Sequence, residues 1–223
     1  MEVKILNEKE YCLQSLLFLP KQMVENPPLI VYLHGAGERG DKIDHLYRHG
    51  LPCLIKSGKS IPAIVLCPQC PKELVWNNIV QTVKELIDKV VKEYVISKDR
   101  IAITGSSMGG FGTWEMGLTY PNFFSCIAPV AGGGLSWRCE KLITTPVKAY
   151  HGKKDLTVPI CYSTLMVDAV NKWGGNAELV VFDDLEHNEG IKYAYFNTDL
   201  IDWVLSKRRV NFDRVKEVCE DLF

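Results

Sequence analysis

Short apolar runs rich in β-branched residues recur along the chain, each closed by a turn residue and often followed by a helical pattern. They are "CLQSLLFL", "LIVYLHG", "AIVLCP", "RIAITG", "CIAPVAG", "VKAYHG" and "AELVVFD". Runs of this length, bounded by Gly, Pro or Asp, are read as strands. Between them, "NIVQTVKELIDKVVKEY" sets Ile79, Val80, Val83, Leu86, Ile87, Val90, Val91 and Tyr94 on the i, i+3, i+4, i+7 spacing of an amphipathic helix. Helices are also predicted from Met108 to Tyr120, stopped by Pro121, over "PICYSTLMVDAVNKWGG" and over "NTDLIDWVLSKRR". A short tail helix is predicted from Asn211. Alternating strands and helices argue for the α/β class, a mostly parallel sheet with helices on both faces. With no repeat and no long linker, residues 1–223 read as one domain.

Ligand sites in such sheets lie outside the carboxyl ends of the strands. That singles out His34–Gly40, Cys67–Pro71, Ser106–Gly110, His151–Asp155 and Asp183–His187. In "TGSSMGGFGTW", Gly105-Ser106-Ser107-Met108-Gly109 matches G-x-S-x-G with Ser107 at its centre; Ser106 would need glycine at 104, which is threonine. The spacing has a steric cause. A serine on a sharp strand-to-helix turn needs small residues two before and two after it, so that strand and helix can approach. The same turn aims the Met108 N–H at the site. Other glycine-rich motifs fail here. Phe111 stands where a P-loop needs lysine, and Glu115 where a dinucleotide fingerprint needs glycine.

A serine hydroxyl needs a base, usually an oriented histidine. His187 in "DDLEHN", read as a polar loop, is the histidine that follows serine and acid in the order Ser…Asp…His. Asp155 in "HGKKDLTVP" trails a strand and fits the orienting acid, with Asp183 and Asp184 as alternatives that more naturally shape the His187 loop. His34 and His151 read as structural residues at strand ends. His45 and His49 have the i, i+4 spacing of a metal pair, but no carboxylate-rich or cysteine companion is close in sequence, so no metal is expected. Acyl transfer also needs oxyanion donors. Met108 N–H is one, and the Ala36 N–H of "HGAGERG" is the expected second. Glu38, Arg39 and Asp41 are candidates for a charge network holding that loop.

Charge narrows the partners. Net charge is -1 and the isoelectric point is near 6.5, so nothing steers the chain to nucleic acid or an anionic membrane. The basic run Ser206–Arg209 suits a helix C-terminus. No stretch approaches the ~20 apolar residues of a membrane span, and "MEVKILNEKEYC" lacks the pattern of a signal peptide. Most of the eight cysteines are therefore expected to be reduced, in a cytoplasmic protein. "CPQCP" at Cys67–Pro71 does not open a helix, which argues against a redox pair.

Together, "LIVYLHGAGERGD", "GSSMGGFGTW", "HGKKDLTVP" and "EHN" resemble the α/β-hydrolase superfamily. Within it they are similar to the small carboxylesterase branch, which includes phospholipase/carboxylesterase, dienelactone-hydrolase-like and feruloyl-esterase-like proteins. The resemblance spans Ser15 to Arg209. It implies a three-layer fold, no cofactor or metal, Ser107 as nucleophile, His187 as base, Asp155 as orienting acid, and Ala36 with Met108 as the oxyanion pair. Three strands are read before the nucleophile strand, so the usual first hairpin is expected to be trimmed. Glu189 and Gly190 stand where relatives often carry an aromatic residue.

Only "GGLSWRCEKLITTP" separates "CIAPVAG" from "VKAYHG", too short for a cap domain, so an open or shallow cleft is expected. Trp76 and Trp137 are candidates to stack on substrate, and Trp114 reads as core. The expected function is a serine carboxylesterase acting on small to medium esters, its activity falling as the histidine base is protonated, around pH 6–7. A prolyl-oligopeptidase-type peptidase and a non-catalytic hydrolase-fold binder are the alternatives.

Overall fold

A computed structural model describes residues 1–8 and 13–209. Cys12, Cys219 and the expected tail helix from Asn211 lie outside the described residues. The elements, in chain order, begin with β1 (Glu2–Glu8), β2 (Leu13–Leu19), β3 (Leu29–Leu33), α1 (Gly50–Lys56), β4 (Ile64–Gln69) and α2 (Val80–Glu93). Then come β5 (Ile101–Ser106), α3 (Met108–Thr119), β6 (Cys126–Val130), β7 (Val147–Gly152), α4 (Cys161–Lys172), β8 (Ala177–Phe182), α5 (His187–Asn197) and α6 (Leu200–Ser206). The sheet runs β1-β2-β4-β3-β5-β6-β7-β8. The pairs β1–β2 and β2–β4 are antiparallel, and the rest are parallel.

The central strands are buried on both faces, which is why they read as continuous apolar runs. Along β3, Leu29, Val31 and Leu33 join one core, and Ile30 and Tyr32 join the other. Val83, Leu86, Ile87 and Val90 of α2 and Trp114 of α3 pack on the first face. Leu51 of α1, Ile191 and Tyr195 of α5, and Leu200 and Val204 of α6 pack on the second. The result is a three-layer α/β-hydrolase fold with helices on both sides. The connection from β6 to β7 holds only a 3-10 helix, Ser136–Leu142, and no cap domain.

Two expectations are corrected. The first hairpin is present: β1 pairs with β2 from Glu2↔Leu19 to Glu8↔Leu13, so four strands precede β5, the strand that leads into Ser107. As an edge strand β1 keeps Val3 and Ile5 exposed among charges, which hides it from any burial pattern. His187 also lies at the first position of a helix, α5, rather than in a loop. Gly190 inside α5 and its short buried set Gly190, Ile191, Ala194 and Tyr195 weaken the helical signal. The closing helix starts only at Leu200, whose N–H donates to Thr198 Oγ1 at 3.2 Å.

The six cysteines among the described residues are free thiols. Burial pushes the Cys67 thiol well up and that of Cys70 to about 11, so both stay protonated and inert. No helix among the described residues is long and apolar enough to cross a membrane.

Candidate active site

The tip of β5 passes into α3 through Ser107, at φ 56° and ψ -119°. That backbone conformation costs a non-glycine residue about 1–3 kcal/mol and persists only where the surroundings enforce it. They do. A Cβ on Gly105 would sit 2.4 Å from Gly109 O, and one on Gly109 would sit 1.9 Å from Leu33 O. Strand β3, strand β5 and helix α3 thus meet at a point where only glycine fits. Ser106 faces the opposite way, buried, with its Oγ 3.0 Å from Tyr32 OH. The turn separates two adjacent serines into one core residue and one site residue.

His187 Nε2 lies 2.9 Å from Ser107 Oγ, and His187 Nδ1 lies 2.6 Å from Asp155 Oδ2. A carboxylate only accepts, so Nδ1–H donates to Asp155 and the Nε2 lone pair is left for the serine proton. Asp155 is buried, and its Oδ1 accepts from Thr157 N–H at 2.9 Å and Val158 N–H at 2.8 Å. Its second oxygen is therefore turned toward the histidine. Asp183 and Asp184 instead pair with Lys153 and Lys154 on the surface. His187 keeps 12% side-chain exposure, enough to meet a substrate.

Across from this pair runs the loop after β3. A Cβ on Gly35 would lie 3.6 Å from Ser107 Cβ and 3.2 Å from Glu38 Oε2. Ala36 opens a short 3-10 helix and Met108 opens α3, so both N–H groups belong to helix first turns with no intrahelical acceptor. Among the described residues neither meets a protein acceptor. The loop is held from below. His34 Nδ1–H donates to Gly35 O at 2.6 Å, and His34 Nε2 accepts from Cys70 N–H at 2.9 Å. Burial holds this neutral imidazole down to a pKa of about 4. Trp76 Nε1–H donates to His34 O at 2.9 Å.

The expected Glu38–Arg39–Asp41 network does not form as such. Glu38 is buried 3.8 Å from both His34 and His49, and burial pushes its carboxyl up. Arg39 donates to Ala36 O and Leu74 O instead.

Of the two tryptophans expected at the substrate side, Trp76 is corrected. Trp76 is 1% exposed and spends its indole N–H on the loop backbone, so it supports the site from beneath. Trp137 is exposed, and its neighbour Arg138 is tied to Glu115, Leu118 and Thr119. Those residues lie at least about 12 Å along α3 from Ser107 at 1.5 Å per residue. An aromatic pair lies one turn past Ser107: Phe111 of α3, edge-on to Tyr162 with centroids 5.6 Å apart. Phe111 sits inside the nucleophile motif itself, which was its signal. Two clefts open along the first turns of α5, and His187 lines the first. One, of about 340 Å³, lies between Leu156–Thr157 and Glu186–Glu189. The other, of about 330 Å³, lies between Arg48–Cys53 and Asn188–Phe196. Glu189 stands between them, and Leu156 is 93% exposed at the edge of the first.

Known proteins agree with this architecture. Residues 68–193, more than half of the chain, match the phospholipase/carboxylesterase family. Over 148 residues the chain is 28% identical to the poly(3-hydroxyalkanoate) depolymerase C of Paucimonas lemoignei, covering 60% of this chain and 34% of that protein. It is 25% identical over 144 residues to the bifunctional acetylxylan esterase/xylanase XynS20E of Neocallimastix patriciarum, covering 62% and 21%. The chain thus spans about a third and a fifth of the length of these curated relatives. Among solved structures, a thermostable esterase superposes with a TM-score of 0.79 at 26% identity, covering 93% of this chain and 63% of that one. The feruloyl esterase module of Clostridium thermocellum shares the fold at 0.71 and 15% identity, covering 94% and 89%. The chain belongs to the phospholipase/carboxylesterase family of α/β-hydrolases.

Proposed function

We propose that this chain is a serine carboxylesterase that hydrolyses small to medium carboxylic esters through an acyl-enzyme. One observation carries the reading: a strained Ser107 whose Oγ reaches His187 Nε2, with His187 Nδ1 on a buried Asp155. Ser107 Oγ attacks the ester carbonyl carbon as His187 Nε2 takes its proton. The tetrahedral oxyanion is held by the Ala36 and Met108 N–H groups. His187 returns the proton to the alkoxide, and the alcohol leaves. Water then attacks the acyl-enzyme, with His187 again as base, and the acid departs with Ser107 restored. Asp155 fixes the tautomer and stabilises the imidazolium at each stage.

The short β6–β7 connection supports an open site, and the cleft lined by His187, Leu156 and Thr157 suits one part of a modest ester. Leu156, at the edge of that cleft, is the apolar group we assign to contact it, and Phe111, one turn past Ser107, is a second candidate. The acetylxylan esterase activity named in one curated relative, and the thermostable esterase among the solved structures, support the same class. A p-nitrophenyl ester panel from acetate to octanoate, with a feruloyl ester and an aminoacyl-nitroanilide beside it, tests the reading. Turnover of short and medium esters that vanishes in Ser107→Ala supports it. Ester turnover that survives Ser107→Ala, or a preference for the anilide, refutes it.

A further inference from the structure

His151, the last residue but one of β7, is fully buried and takes no part in the chemistry above. Its surroundings are polar on both sides of the ring. Nε2 lies 2.7 Å from Val158 O and 3.3 Å from Asp155 Oδ2. Nδ1 lies 2.7 Å from Ser163 Oγ on α4, and that hydroxyl lies 2.8 Å from Gly132 O.

Proton counting constrains this cluster. Val158 O and Asp155 Oδ2 only accept, so Nε2 carries a hydrogen. The single Ser163 hydroxyl hydrogen goes either to His151 Nδ1, with the ring neutral, or to Gly132 O, with the ring charged. Both arrangements keep Nε2–H pointing at Val158 O and the carboxylate. The titratable groups that face the ring are Asp155 and His187.

The consequence falls on Asp155. Its Oδ1 accepts from the N–H groups of Thr157 and Val158. Its Oδ2 accepts from His187 Nδ1–H and lies beside His151 Nε2–H. Val158 is held twice, its N–H by the carboxylate and its C=O by His151. The loop that carries the acid is thus clamped from inside the protein, where water cannot replace a lost donor.

We propose that His151 is a positioning residue for the acid–base pair: its Nε2–H, through Val158 O and Asp155 Oδ2, sets the carboxylate orientation that His187 depends on. This rests on the reading of Ser107, His187 and Asp155 as the hydrolytic machinery. Misplacing a catalytic group by ~1 Å costs about 100-fold.

The test compares wild type with His151→Phe, His151→Gln and His151→Asn on p-nitrophenyl butyrate. A low-field proton spectrum of the His187 Nδ1–H accompanies the kinetics. Phe keeps the ring volume and loses both nitrogens. Gln restores a donor near Nε2, and Asn restores a polar group only near Nδ1. In His151→Phe, kcat falls about 10–100-fold, KM changes little and the low-field resonance is lost. His151→Gln recovers kcat and the resonance, and His151→Asn does not. A folded His151→Phe with wild-type kcat overturns the proposal, as do equal kcat values for the Gln and Asn variants, a comparison that decides even if the Phe variant does not fold. His187→Ala at full activity would instead remove the hydrolytic reading, and this inference with it. Loss in His187→Ala without loss in the His151 variants refutes the inference alone.

Discussion

Acidification should destabilise this fold through His34, and the size of the effect follows from its burial. Inside the protein His34 is neutral, donating from Nδ1 to Gly35 O and accepting at Nε2 from Cys70 N–H. Burial lowers its pKa from the ordinary 6.5 to about 4. In the unfolded chain the imidazole returns to water and to its ordinary value. Between pH 6.5 and 4 the unfolded state therefore binds more protons than the native state. The stability that His34 contributes is complete above pH 6.5 and is lost as pH falls toward 4. At about 1.4 kcal/mol per pH unit, the gap is worth about 3 kcal/mol. That is a large share of the roughly 5–15 kcal/mol of an ordinary domain. Urea unfolding of wild type and His34→Gln at about pH 7, 5.5 and 4 isolates it. Glutamine does not titrate, and the remaining ionisable groups are common to both proteins. The wild-type advantage should shrink by about 3 kcal/mol across that range. Two curves that fall in parallel would refute the reasoning.

Asp155→Asn should lower kcat on the order of 10³–10⁴-fold with KM little changed, because an amide cannot hold the imidazole in the Nδ1–H tautomer; steady-state kinetics on the folded variant check it. Ser106→Ala should keep kcat within about twofold and cost about 1–2 kcal/mol, since it strips the buried Tyr32 OH of its partner. Denaturant unfolding beside an ester assay separates the two effects. Gly109→Ala should cost at least about 3 kcal/mol, because its Cβ would fall 1.9 Å from Leu33 O and drive β3 and α3 apart. A thermal midpoint equal to wild type would contradict that crowding.

The central strands and the nucleophile turn are legible in the sequence for physical reasons. β3 and β6 are buried on both faces and read as unbroken apolar runs. Gly105 and Gly109 announce a crowded turn because no other residue fits there. The structure brings Ser107, His187 and Asp155, chosen by their order and their places after strands, within hydrogen-bonding distance of one another. What escapes the sequence depends on three-dimensional company. β1 is an exposed edge whose charges resemble a tail. α5 carries a glycine where Gly190 packs beneath the turn after β7. Trp76 looks like a cleft residue until its indole is found on His34 O. His151 reads as filler at a strand end until Val158, Asp155 and Ser163 are seen around its ring.

The central claim is that Ser107 forms the covalent bond. Treatment with an active-site fluorophosphonate, followed by intact-mass and peptide mass spectrometry, tests it most directly. One adduct per chain is expected, on the peptide holding Ser107, formed in step with loss of esterase activity and absent from Ser107→Ala. An adduct on another residue, or full inactivation with Ser107 unmodified, would contradict it.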